Sequence, residues 1–140
     1  VISNVNGLPN DFNPANDSIS SQIEAVDYAT FGNRDYIYYH ASSAPPNCPL
    51  VLVFHGYSGT AQGIMDYSEF NMLAEEFGFA VCYPQGTLDG SNTTFFNVGY
   101  DFQNNQTVDD VAFVKDLVDS LKKEFISSIQ EQKDLLDTYK

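Results

Sequence analysis

An α/β fold is what this sequence predicts: a small mixed sheet of one antiparallel hairpin and two parallel strands, with two long helices packed on it. Three stretches carry that expectation. Leu50 to Phe54 is apolar at every position, the pattern of a strand covered on both faces. From Thr60 to Phe77 the residues Ile64, Tyr67, Phe70, Leu73, Ala74 and Phe77 recur at spacings of three and four, the stripe of an amphipathic helix, and Gly78 stands where a left-handed C-cap belongs. Phe79 to Tyr83 then reads as a second buried strand stopped by Pro84. Strand, helix and strand in that order make a right-handed crossover between parallel strands.

The remaining elements follow in turn. Residues 1–20 are crowded with Asn, Asp, Pro, Ser and Gly without a period and read as a polar tail. Ile23 to Thr30 and Arg34 to His40, rich in Tyr, Ile and Val around Phe31-Gly32-Asn33, predict the hairpin. The run APPNCP at 44–49 interrupts regular structure. Residues 85–106 form a long loop around Phe95, Phe96, Tyr100 and Phe102 that follows the C-terminal end of a strand. Thr107 is placed to cap a second helix with Asp110 at the capping-box position. Val111, Val114, Val118, Leu121 and Phe125 form its buried stripe, and Lys122 and Lys123 suit its negative end. The chain therefore divides into a tail (1–20), a folded part (21–125) and an atypical end (126–140) whose Ile126, Ile129, Leu136 and Tyr139 extend that helix or form another.

Composition removes whole classes of partner. The 140 residues carry 19 Asp plus Glu against 6 Lys plus Arg, a formal charge of −13. Nucleic acid and anionic membranes would be repelled, since no basic stripe is available to release counterions. No apolar run approaches the roughly 20 residues of a membrane-spanning helix. Cys48 and Cys82, at opposite ends of the parallel strands, read as free thiols, because a bridge needs Cα atoms within about 7 Å. Two separated histidines without a CxxC motif form no metal site. Sequons at Asn16, Asn92 and Asn105, few lysines and the acidic balance suit a secreted protein.

A run of motifs carries a family resemblance. LVLVFHG followed by YSGTAQG, then NMLAEEFGFAVCYPQGT, the loop containing TTFFNVGY, and TVDDVAFVKDLVDSLKKEF resemble, in that order and spacing, the N-terminal half of secreted α/β-hydrolases. The group is that of polyhydroxybutyrate depolymerase and feruloyl-esterase-like serine esterases, and the match covers about residues 23 to 125, with HG, YPQGT and VDDV together its specific part. The resemblance implies a secreted enzyme that needs no cofactor and cleaves a carboxylic ester with Ser, His and Asp, the oxyanion held by backbone amides. In that family the loop after HG supplies one such amide. Carried over by position, His55 and Gly56 shape the turn, the Tyr57 amide is the donor, and Ser58 is the second candidate. One donor of this kind is worth about 3 kcal/mol of barrier. Phe95, Phe96 and Tyr100, with Phe102, would wall the substrate pocket.

The chain also departs from that family. After KKEF the hydrolases continue into a strand and a G-x-S-x-G elbow, whereas this sequence runs ISSIQEQKDLLDTYK and contains no G-x-S-x-G. Gly56-Tyr57-Ser58-Gly59 is one residue too short for it and lies in the oxyanion loop. The expected architecture is thus a partial α/β-hydrolase fold, truncated before the nucleophile strand; base and acid, which follow the nucleophile in this fold, are then absent as well. A shifted reading frame, a shortened chain or a truncated relative each account for it. Such a chain alone should not hydrolyse esters, and its bare apolar strand edge predicts self-association. The rival reading is a non-catalytic module that binds an ester or a partner chain. A flavodoxin-like domain is disfavoured, since no Gly/Ser/Thr-rich phosphate loop follows the first parallel strand.

Several residues have plainer structural readings. His55 reads as a turn-packing residue bonded to neighbouring loops, His40 as a surface residue, Asp109 and Asp110 as helix caps, and the loop aromatics equally as cover for the sheet.

Overall fold

The computed structural model describes residues 26–138. The expectations for residues 1–20, for Ile23 at the head of the hairpin, for Asn16 and for Tyr139 lie outside them. Strands β1 (Val26–Phe31) and β2 (Arg34–His40) form the hairpin, turning through Gly32, whose φ of 63° suits a residue without a Cβ, with Phe31 opposite Arg34. β3 (Leu50–Leu52) and β4 (Ala80–Pro84) are parallel neighbours, Val51 beside Val81. β2 runs antiparallel to β4, so the four strands lie in the order β1-β2-β4-β3. Among the described residues β3 is an edge strand.

Period-two alternation divides the side chains between two faces. Ile37, Tyr39, Val81 and Tyr83 bury against Ala61, Met65 and Ala74 on one face. Cys82 packs with Leu117 and Leu121 on the other, where Tyr36, Tyr38, Leu50 and Leu52 join them. Both thiols are buried and free, and burial pushes the Cys82 thiol up to about 12.

The first helix is not continuous. It divides into α1 (Ala61–Ser68) and α2 (Phe70–Phe77) at Glu69, which is left-handed at φ 57°. Met65 and Ala74 explain the break: nine residues at about 100° each place them on opposite sides of a straight helix, yet both enter the same core. Turning the axis at Glu69 buries both and moves Tyr67, counted in the predicted stripe, to 86% exposure. Thr60 caps α1 by accepting the Gly63 N–H at 2.9 Å, and Gly78 closes α2 in the left-handed region as expected.

The predicted loop contains a small hairpin, β5 (Thr87–Leu88) with β6 (Thr94–Phe95), and one 3-10 turn at Asp101–Gln103. The last helix, α3 (Asp110–Thr138), differs from expectation in three respects. Its cap is Asp109, not Thr107, since Asp109 Oδ1 accepts the Ala112 N–H at 2.9 Å. Its buried face is turned: Leu117 and Leu121 are inside while Val111 is 75% exposed. It also runs through the atypical end, so Lys122 and Lys123 sit mid-helix and not at its negative pole. His40 is held more firmly than a surface residue, between the Tyr38 hydroxyl and the Ala44 carbonyl, with its ring edge-on to Phe125.

Candidate functional site

The site lies past the C-terminal ends of β3 and β4. There the backbone leaves the sheet at His55, which is buried. Its Nε2 accepts the Gly86 N–H at 2.9 Å, so the neutral ring carries its proton on Nδ1 and donates it to the Gly56 carbonyl at 2.8 Å. Both ring nitrogens are committed. His55 acts here as a scaffold and has no free nitrogen for base catalysis.

That bond fixes a peptide plane. A trans peptide directs C=O and the following N–H to opposite sides, so the Gly56 carbonyl, held by His55 and by the Gly59 N–H at 3.0 Å, turns the Tyr57 N–H away from both. At Gly59 a Cβ would stand 3.1 Å from the Gly56 oxygen, a tight contact in this turn. The Ser58 amide donates to the Thr94 carbonyl at 2.9 Å, and the Thr94 hydroxyl donates to the Gly59 carbonyl at 2.6 Å. Ser58, the second candidate donor, is therefore already occupied. No bond among the described residues takes the Tyr57 N–H.

A cavity of about 600 Å³ opens beside this loop, lined by His55, Gly56, Tyr57 and the expected aromatics Phe95, Phe96, Tyr100 and Phe102. The aromatics divide by role. Phe95 is buried and serves the core. Phe96 forms the inner wall, 4.7 Å from the His55 ring and edge-on to Phe54 at 5.1 Å. Tyr100 and Phe102 are exposed at the rim and stack at 5.6 Å, with Tyr57 edge-on to Phe102. Val111 and Val114 of α3 complete the apolar wall. The arrangement offers an oily pocket with the unpartnered Tyr57 N–H at its lining.

Several residues that build the site had no role in the sequence reading. Gly86 lets the chain entering β5 pass close to Phe95, for a Cβ there would lie 2.3 Å from the Phe95 oxygen. The Gln85 side chain accepts the Ala61 N–H at 2.8 Å, tying α1 to the same corner. Their signal was the PQG run directly after the strand. Asp110 is buried, joins Arg34 and receives the Asn97 N–H. Asp89 accepts the Tyr57 hydroxyl at 2.7 Å. Asp109 and Asp110 therefore form no carboxylate pair: one caps the helix, the other neutralises an arginine. Among the described residues no group of three or more His, Cys, Asp or Glu is arranged to hold a metal, and no helix is long and apolar enough to cross a membrane.

No family model matches the chain. Over 92 residues, 66% of its length, it is 29% identical to a bifunctional acetylxylan esterase/xylanase from Neocallimastix patriciarum, of which that stretch makes up 12%. An acetyl xylan esterase structure from Aspergillus awamori aligns with 42% of this chain and 23% of its own, at 26% identity and a TM-score of 0.39. These relatives are acetylxylan esterases, not the polyhydroxybutyrate depolymerases or feruloyl esterases that the motifs resemble. Over those 92 residues the chain is distantly similar, at low identity, to an esterase.

Proposed function

We propose that these residues form the oxyanion side of a carboxylic-ester hydrolase of the serine type, with Tyr57 N–H as the backbone donor. The carrying observation is that the Ser58 and Gly59 amides of this loop are taken, whereas no bond among the described residues takes the Tyr57 amide, which lies beside an apolar cavity. In the reaction such a hydrolase performs, serine adds to the ester carbonyl, negative charge develops on the carbonyl oxygen, and a donor already aimed at it lowers the barrier. Nucleophile, base and acid are not supplied by residues 1–140, which hold no G-x-S-x-G, so this chain alone is inactive. The pocket walls suit a short acyl or an aromatic acid, which keeps acetylated carbohydrate, hydroxycinnamoyl ester and polyester as candidate substrates and an extracellular setting as the matching one.

The test joins two assays on the purified chain. Turnover of p-nitrophenyl acetate and labelling by a fluorophosphonate probe should both be absent. Saturation-transfer NMR with acetylated xylooligosaccharide, methyl ferulate and a 3-hydroxybutyrate oligomer should show at least one ester in contact with Phe96, Tyr100 and Phe102. Turnover with serine labelling overturns the assignment of inactivity, and no contact by any ester overturns the substrate reading.

One observation favours a second reading, a non-catalytic module that binds a partner. β3 is an edge strand among the described residues, and Phe54, two residues after it, is exposed. Unpaired strand edges with apolar flanks invite pairing. A sedimentation experiment showing concentration-dependent dimers, together with no ester contact, would favour self-association.

A further inference from the structure

We propose that Asp89 is a positioning residue for the Tyr57 amide, its carboxylate holding the Tyr57 phenol against the β5–β6 hairpin so that residues 56–59 keep one shape. This rests on the oxyanion reading of the loop.

Asp89 is built into the hairpin turn. Its Oδ1 accepts the N–H groups of Ser91 at 2.8 Å and Thr93 at 3.0 Å, which pins the carboxylate to the backbone of its own turn. Its own N–H donates to the Thr93 carbonyl at 2.9 Å. Its Oδ2 is then presented outward, where it receives the Tyr57 hydroxyl at 2.7 Å and the amide of buried Gln103 at 3.3 Å. A charged acceptor with both oxygens engaged makes a stronger and more directional bond than a neutral one. The titration of the pair agrees: the bond to Asp89 raises the Tyr57 hydroxyl above its ordinary value, and the bond from Tyr57 holds the Asp89 carboxyl below its own.

The other holds on the loop act on its backbone. His55 fixes the plane of the Gly56–Tyr57 peptide, and Thr94 holds Ser58 and Gly59. The Tyr57 side chain itself is half exposed, and its phenol is anchored by the bond to Asp89, with Thr93 of the same turn as a second hydrogen-bond partner. An oxyanion donor must be held within a fraction of an ångström of its productive place, so freedom about the Cα of Tyr57 would misplace the N–H.

The experiment compares the full chain with Asp89→Asn and Tyr57→Phe, using methylphosphonate, a tetrahedral anion, as probe. Tyr57→Phe leaves Asp89 and its turn bonds intact, so it reports on the clamp even where Asp89→Asn disturbs the hairpin. Asp101→Asn, an exposed acid of the same loop, is the control. In the unaltered chain the Tyr57 amide should be rigid, with an order parameter near ~0.85, and should shift on titration. In both variants it should loosen below ~0.6 and bind methylphosphonate about tenfold more weakly, with the thermal midpoint little changed. Unchanged order and affinity in Tyr57→Phe overturns the positioning role. If methylphosphonate moves no amide between 56 and 58 in the unaltered chain while both variants still loosen the loop, the clamp stands and the oxyanion reading falls.

Discussion

The guanidinium of Arg34 and the carboxylate of Asp110 meet at 2.8 Å, with side chains only 10% and 5% exposed, joining the start of β2 to the first turn of α3. Arg34 also lies 4.0 Å over the Phe113 ring and donates to the Gln85 carbonyl at 2.9 Å. One arginine thus ties the hairpin, the corner after β4 and the last helix together beside the cavity. Removing one partner of such a pair leaves a buried charge uncompensated. Asp110→Asn should therefore lower unfolding free energy by about 3 kcal/mol, read as a fall in the urea midpoint at constant slope.

Gly86 offers a steric test. A methyl group placed 2.3 Å from the Phe95 oxygen forces the start of β5 away from β6 and disturbs the His55 bond to the Gly86 amide. Gly86→Ala should cost about 1–3 kcal/mol. The His55 ring protons should shift in the NMR spectrum of the variant.

Glu75 gives the pH dependence a sign. Burial pushes its carboxyl up, but bonds from the Ser42 hydroxyl, the Tyr39 hydroxyl and nearby backbone outweigh it, and the net direction is down from the ordinary 4.5. A depressed folded value contributes stability that is complete above the unfolded value and is lost as pH falls through the folded one. Stability should hold at pH 6, begin to drop near pH 4.5 and continue dropping below it. In Glu75→Gln that part of the slope should disappear, measured by urea unfolding from pH 6 to 3.

Burial raises both cysteine thiols, Cys82 to about 12. Thiolate is the reactive form, so Ellman's reagent at pH 8 should modify native Cys82 only as fast as the protein opens, and both cysteines at once in urea.

Much of the scaffold was legible because it rests on local periodicity. The apolar run at 50–54, the stripe from 60 to 77 with Gly78 behind it, and the second run at 79–83 specify a crossover without reference to anything distant. The HG turn was legible for the same reason. What escaped depends on contacts far apart in sequence. The break at Glu69 follows from a requirement that Met65 and Ala74 share one core, which no window of the sequence states. The turned face of α3 follows Asp110, drawn inward by an arginine far back in the chain, at the start of β2; from the sequence, Asp110 looks like an ordinary capping residue. Asp89 likewise looks like any loop aspartate until the hairpin brings it to Tyr57. Ser58 was a candidate donor only while Thr94 had no known place.

The central claim is that the Tyr57 amide is open while those of Ser58 and Gly59 are committed, and amide hydrogen exchange in the 56–59 loop reads this directly. The account predicts that Tyr57 exchanges at least tenfold faster than Ser58 and Gly59, whose N–H groups donate to Thr94 and Gly56. Protection of Tyr57 equal to that of Ser58 would mean the amide is spoken for inside the protein, and the site described here would not exist.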